Sequence, residues 1–210
     1  MKVILTIILL SLFTINNNCQ IISGYGVKLG AGISNQSWDY QIADINMDYD
    51  NKTAISPRIF ADFFNISFLQ LEGEIGYLRK GFERKIPITT MTQPDGTGEF
   101  ITTNVSLDYL SISALAKLKY ETGMISPYII LGPQLDILFN KSTPGWEIIF
   151  DRFSNANICL SIGVGAELKN ILSIPLLVEY RYERDLMDNY DSPNIDILNY
   201  SHVILVGIRI

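Results

Sequence analysis

The chain has little cysteine, with only Cys19 and Cys159 among its 210 residues. Cys19 falls in the expected leader, and a lone Cys159 then excludes an intrachain disulfide framework, so stability must come from backbone pairing and packing. Long apolar runs are missing as well. After the N-terminus no stretch approaches the eighteen or so apolar residues that a membrane-crossing helix needs, which excludes a helical membrane protein. Basic residues are in deficit, 16 Lys and Arg against 22 Asp and Glu. Such a chain is a poor match for the phosphate backbone of a nucleic acid, and no nucleic-acid partner is expected.

At the N-terminus, Lys2 is followed by the mainly apolar run Val3 to Phe13 and then by polar Thr14 to Gln20. This is the three-part layout of a secretory signal, too short to span a bilayer. The expected organisation is a signal peptide over 1–19 and one domain over 20–210. Loss of the leader removes one lysine and leaves 15 basic against 22 acidic residues, a net charge of −7.

From Gly24 onward the dominant signal has a period of two, and eight segments carry it: 24–38, 53–64, 68–83, 105–121, 127–140, 157–169, 176–186 and 199–210. Side chains alternate across a strand, so each segment separates into two faces. One face runs through Tyr25, Val27, Leu29, Ala31 and Ile33 on the first segment, and ends with Ile204, Val206, Ile208 and Ile210 on the last. Over its apolar stretches, such as Leu69 to Tyr77, Leu110 to Tyr120 and Leu176 to Tyr182, it carries no Asp, Glu, Lys or Arg, as a surface facing hydrocarbon requires. Its aromatic residues, Tyr25, Phe63, Tyr77, Tyr120, Phe139, Tyr182 and Tyr200, lie toward segment ends, where interfacial girdles form.

The opposite face holds Lys28, Arg58, Asp62, Glu72, Glu74, Lys117, Lys119, Asp136, Glu167, Lys169, Glu179, Arg181, Glu183 and Arg209, seven of each sign, among small residues such as Gly26, Gly30, Ser111, Ser113, Gly163 and Gly165. An eight-stranded barrel is just wide enough for side chains to fill it. These fourteen residues are therefore expected to form a lumenal ion-pair network, since unpaired buried charge is very costly.

Connections alternate in length. Asn65 to Ser67, Thr122 to Ser126 and Asn170 to Pro175 are short, whereas Lys85 to Thr103, with its Pro94-Asp95-Gly96 turn signal, exemplifies the long polar ones. Short periplasmic turns and long external loops are the asymmetry of outer membrane barrels. Pro57 and Pro133 fall inside segments and are expected to mark bulges. The fold class read from these features is all-β, an eight-stranded antiparallel up-and-down transmembrane β-barrel, in the cell outer membrane.

Asp108-Tyr109-Leu110-Ser111-Ile112-Ser113, Lys117-Leu118-Lys119-Tyr120, Pro127-Tyr128, Gly132-Pro133, Gly163-Val164-Gly165-Ala166-Glu167-Leu168 and Glu179-Tyr180-Arg181-Tyr182 follow one another along the later segments. In their order and spacing the chain resembles the PorT-type outer membrane β-barrel proteins of Bacteroidota and relatives, small barrels of the OmpA/OmpX-like kind. The resemblance covers essentially the whole mature chain and implies the fold; its signatures are structural.

No catalytic, cofactor or metal-binding constellation stands out. Ser201 and His202, the one histidine, are adjacent on a strand and face opposite ways, so they do not form a dyad. Glu72, Glu74, Glu179 and Glu183 read as ion-pair partners rather than acid–base catalysts, and Cys159 as a small filler. Asp44, Asp48 and Asp50, with Asp188, Asp191 and Asp196, read as an acidic loop surface facing solvent or lipopolysaccharide rather than a Ca²⁺ site of fixed geometry. The expectation is a non-enzymatic barrel without cofactor, its lumen plugged. Its external loops would meet outer membrane lipid or lipopolysaccharide and an envelope or extracellular protein, in adhesion or assembly. Two other readings stand beside it: a narrow pore or transporter, and a secreted soluble calycin-like barrel with its two faces reversed around an apolar ligand.

Overall fold

The computed structural model describes residues 22–40, 49–66, 68–89, 97–169, 174–190 and 192–210. The expected leader over 1–19, the Pro94-Asp95-Gly96 turn and Asp44, Asp48 and Asp191 lie outside the described residues. Eight strands form: β1 (Ile22–Tyr40), β2 (Asp50–Ile66), β3 (Leu69–Pro87), β4 (Phe100–Lys119), β5 (Ile125–Ser142), β6 (Ala156–Leu168), β7 (Leu176–Asp185) and β8 (Ile195–Arg209). Each pairs antiparallel with the next, and β8 closes on β1 from Gly26↔Arg209 to Tyr40↔Ile195, giving a closed barrel in strand order. Closure leaves no free edge around the wall, the condition for carrying strands through a medium that cannot hydrogen-bond.

The period-two pattern resolves into two walls of opposite character. Val27, Leu29, Ile59, Ile75, Ile129, Val164 and Ile204 point outward and are exposed, whereas Lys28, Arg58, Glu72, Glu74, Glu179 and Arg181 point inward and are buried. A calycin-like arrangement needs these faces reversed, and the structure places the apolar face outside. Tyr25, Phe63 and Tyr120 stand on the outer wall near the end that holds the termini; Tyr77, Phe139, Tyr182 and Tyr200 stand toward the far end.

Large lumenal side chains fit because the register sets glycines opposite them. Lys28 pairs with Gly207, Phe60 with Gly26, Arg58 with Gly76, Tyr128 with Gly165 and Arg181 with Gly163. A Cβ on Gly76 would lie 2.6 Å from Arg58 Cγ, and one on Gly163 would lie 2.9 Å from Arg181 Cγ. The absent side chain is the space into which its partner folds.

The strands outrun the segments read from sequence, chiefly at the far end. The expected loop Lys85 to Thr103 is largely a ribbon, because β3 and β4 stay paired out to Pro87↔Phe100 and the Ile88 amide still donates to Glu99 O at 2.9 Å. The β5–β6 connection carries a one-turn helix, α1 (Glu147–Phe150). Of the two prolines, Pro57 lies in the stretch between Asn51 and Arg58 where the β2–β3 register shifts. Pro133 marks no shift: β5 keeps register with β6 straight through Pro133↔Leu160, and the β4–β5 irregularity falls at Asp108/Tyr109 instead. A proline whose ring faces outward needs only the loss of one ladder donor, not an extra residue.

Gly163→Val, which drives a side chain into Arg181 and toward the Tyr180 carbonyl, is expected to cost about 1–3 kcal/mol. Ala114→Val on the exposed outer face is expected to be near neutral. Urea midpoints of the two variants in detergent micelles check the contrast.

Candidate functional site

The charged lumen is organised in three tiers. The middle tier crosses the bore. Lys28 Nζ on β1 lies 2.7 Å from Glu72 Oε1, 2.7 Å from Glu74 Oε1 and 2.9 Å from Glu179 Oε1, joining β1 to β3 and β7. Arg181 donates through Nη1 to Glu74 Oε2 at 2.5 Å and also pairs with Glu179 and Glu72. Arg58 meets Glu183 at 2.7 Å and Glu74 at 3.4 Å, and Lys117 meets Glu72 at 2.5 Å. Four cations thus face four carboxylates, all buried. Tyr128 donates its hydroxyl to Glu179 at 2.7 Å, and Lys28 lies 4.5 Å from the Phe60 ring centroid. Interlocking partners of this kind offset the desolvation of each ion, which no single pair would do.

The tier nearest the termini is looser. Asp62 meets Arg209 Nε at 3.0 Å and Lys117 at 3.8 Å, while Glu167 meets Lys119 at 2.8 Å and Arg209 at 3.6 Å. Lys119 also reaches Glu121 in the β4–β5 turn at 3.3 Å, and this hydrogen-bonded ammonium holds the Glu121 carboxyl below its ordinary range.

Farther along the bore, Lys80 Nζ sits 2.6 Å from Asp136 and 2.9 Å from Asp185, with Cys159 Sγ at 3.5 Å. Asp136, Cys159 and Asp185 are close enough together to hold a metal ion, but the Lys80 ammonium already stands among them, and Asp185 also accepts from the side chains of Asn189 and Asn199. Beyond this tier the interior becomes apolar. Trp38, Tyr49, Phe82, Val105, Leu107, Phe150, Phe153 and Ile197 form one buried cluster. Phe82 lies 4.2 Å from Tyr49 and Phe150 lies 4.7 Å from Phe153, ring centre to ring centre. The barrel is therefore ionic in the middle and aromatic at the far mouth.

Of the fourteen residues read from sequence, thirteen come together inside the barrel. Lys169 does not: it follows β6, is partly exposed, and among the described residues its ammonium meets Glu121 at 3.7 Å. Alternation stops constraining a side chain once the strand ends at Leu168. Three further charged residues belong to the lumen, Lys52, Lys80 and Asp185. Lys52 bonds to Asn104. All three lie on the inward parity of their strands, so the signal was present in the same alternation. Ser201 is buried on the lumenal side, and His202 faces outward beside Tyr180 and Tyr182.

Arg181→Leu leaves Glu72, Glu74 and Glu179 short of a cation and is expected to cost about 3–5 kcal/mol. Lys169→Ala is expected to cost no more than about 0.5 kcal/mol. Urea unfolding in micelles reads both. Cys159, fully buried, is expected to resist a maleimide until the barrel unfolds. Labelling of the folded protein at the rate of a free thiol would show that solvent enters the bore.

The chain matches no protein-family model and no curated protein sequence. Its structure is similar to solved outer membrane barrels. Neisserial surface protein A is 17% identical, with 89% of this chain and 97% of that chain covered and a TM-score of 0.50. The outer membrane protein OprG from Pseudomonas aeruginosa is 11% identical, with 90% and 97% covered and a TM-score of 0.47. The expectation that the protein is not an enzyme is corrected here, because the similar structures include enzymes. The outer membrane enzyme PagL is 13% identical over 85% and 97% of the chains (TM-score 0.39), and the outer membrane protease OmpT from Escherichia coli is 9% identical over 90% and 93% (TM-score 0.41). The architecture does not exclude catalysis. The chain has the eight-stranded antiparallel fold of the small outer membrane barrels.

Proposed function

We propose that the protein resides in the outer membrane as a small OmpA/OmpX-like barrel of the PorT type, closed along its bore, and that it acts through the surface it presents at the far end. The observation that carries this reading is the reach of Lys28 from β1 to carboxylates on β3 and β7, which fills the bore from wall to wall. Three further features support it. At the depth of the ion-pair network the outer wall is uncharged and mainly aliphatic, where a single lysine or arginine at mid-depth would cost about 2–4 kcal/mol. The aromatic cluster stops the far mouth above the ionic tiers. The β3–β4 ribbon, α1 and the β7–β8 connection extend past the wall and expose Ile86, Phe100, Ile101, Ile148, Leu186 and Met187, a surface suited to contact with another envelope or extracellular protein. The motifs that resemble PorT-type barrels lie on β4 to β7, which supports that grouping.

Two measurements test the reading. The protein is expected to stay with membranes through a carbonate wash and to leave them only with detergent; recovery in the soluble fraction would overturn the membrane assignment. In planar bilayers the inserted protein is expected to give no unitary conductance. Steady conductance would overturn the closed bore and favour a narrow pore.

A further inference from the structure

The outer wall carries an arginine at its far rim that no carboxylate neutralises among the described residues. Arg79, on one side of the barrel, lies 2.8 Å from Asp108, which also accepts from the Tyr77 hydroxyl at 2.6 Å and from Asn140 at 2.8 Å. Arg184, on β7, is exposed and has no hydrogen-bond or ion-pair partner among the described residues. It lines a groove of about 510 Å³ together with Ser37, Tyr182, Tyr200 and His202. The register explains the grouping: Tyr200 pairs with Arg184, Tyr182 with His202, and His202 with Ile33, so β1, β7 and β8 present them on one outward patch. The Tyr180 hydroxyl lies 2.7 Å from His202 Nδ1. When it donates there, the ring proton sits on Nε2, which becomes a donor toward the groove.

The chemistry of this lining is that of an anion site: one guanidinium, an imidazole N–H and the hydroxyls of Tyr182, Tyr200 and Ser37. Its depth names the anion's carrier. Directly below, toward the termini, the same strands expose Ile204, Val206 and Val178, the aliphatic wall. Asp39 and Asp196 face each other in the β1–β8 register farther out than the Ser37↔Leu198 rung and do not line the groove. A ligand with an anionic head at Arg184 and an acyl chain along Ile204 and Val206 satisfies both surfaces at once. We propose that the Arg184–His202 groove binds the phosphate headgroup of a membrane lipid. This rests on the outer membrane reading above.

The test uses the full chain in micelles, with lipid retention measured by native mass spectrometry. The probes are dimyristoyl phosphatidic acid, dimyristoyl glycerol, which lacks the phosphate, and inorganic phosphate as competitor. Wild type is expected to retain phosphatidic acid over the glycerol lipid. Arg184→Gln is expected to weaken retention about tenfold, the size of a lost hydrogen bond to a charged group. His202→Gln is expected to weaken it several-fold and Arg184→Lys less than Arg184→Gln, with retention of the glycerol lipid unchanged in all three. Equal retention of phosphatidic acid by wild type and Arg184→Gln would overturn the proposal. Displacement of the lipid by equimolar inorganic phosphate would overturn the lipid as the ligand in favour of a free anion. Insertion into vesicles, measured alongside, separates the two readings: a protein that inserts but shows no phosphate preference refutes the groove alone, and one that never inserts refutes the membrane assignment.

Discussion

Closing eight strands into a ring forces every second side chain into a bore with room for side chains and little else. This constraint governs the rest of the molecule. A charge placed there loses its water and must be met by an opposite charge from another strand, and a long side chain must find a gap on the strand beside it. Lys28 and Arg181 meet both conditions. Each contacts three of the carboxylates Glu72, Glu74 and Glu179, and each lies against a glycine, Gly207 or Gly163. The network also ties β1, β3 and β7 together across the bore, so the barrel is braced from within as well as laced around its wall.

The two ends of the bore are built differently. Toward the termini the ion pairs loosen and pass into the solvent-facing Lys119–Glu121 contact. At the far end the interior changes to packed aromatic rings around Trp38 and Phe82, which meet edge to face. The change follows the length of the strands: where β3 and β4 rise above the wall, their inward side chains can bury against one another and against α1 and need no ionic partner. In the proposed reading, chemistry that meets other molecules lies at the far-end connections and the outer rim, where Arg79 is neutralised by Asp108 and Arg184 has no carboxylate partner among the described residues.

Much of this was legible in the alternation of residues. The eight strands, a wall free of charge below its far rim and thirteen lumenal charges follow from parity alone, and so do Lys80 and Asp185 once the inward register is carried to the strand ends. Lys169 shows where parity fails, because beyond Leu168 the backbone no longer dictates a side chain's direction. The Lys85 to Thr103 segment shows a second failure. Polar, threonine-rich residues read as a loop, yet the β3–β4 ladder runs on into them as far as Pro87↔Phe100 because each strand supplies the other's backbone partners. Pro133 shows a third: a ring on the outer face removes one donor and leaves the register intact. Catalysis was not legible in the alternation, which fixes only the direction in which each side chain points.

The sequence by itself determined the two-faced strands, their number and the balance of buried charge, because side-chain direction along a strand depends only on position. Which carboxylate meets which cation, which glycine faces which long side chain, and the meeting of Arg184, His202 and the tyrosines on one patch were decided by the tertiary structure. Those pairings depend on how far each strand is sheared past its neighbour as the ring closes, a quantity that belongs to the whole barrel and to no single strand.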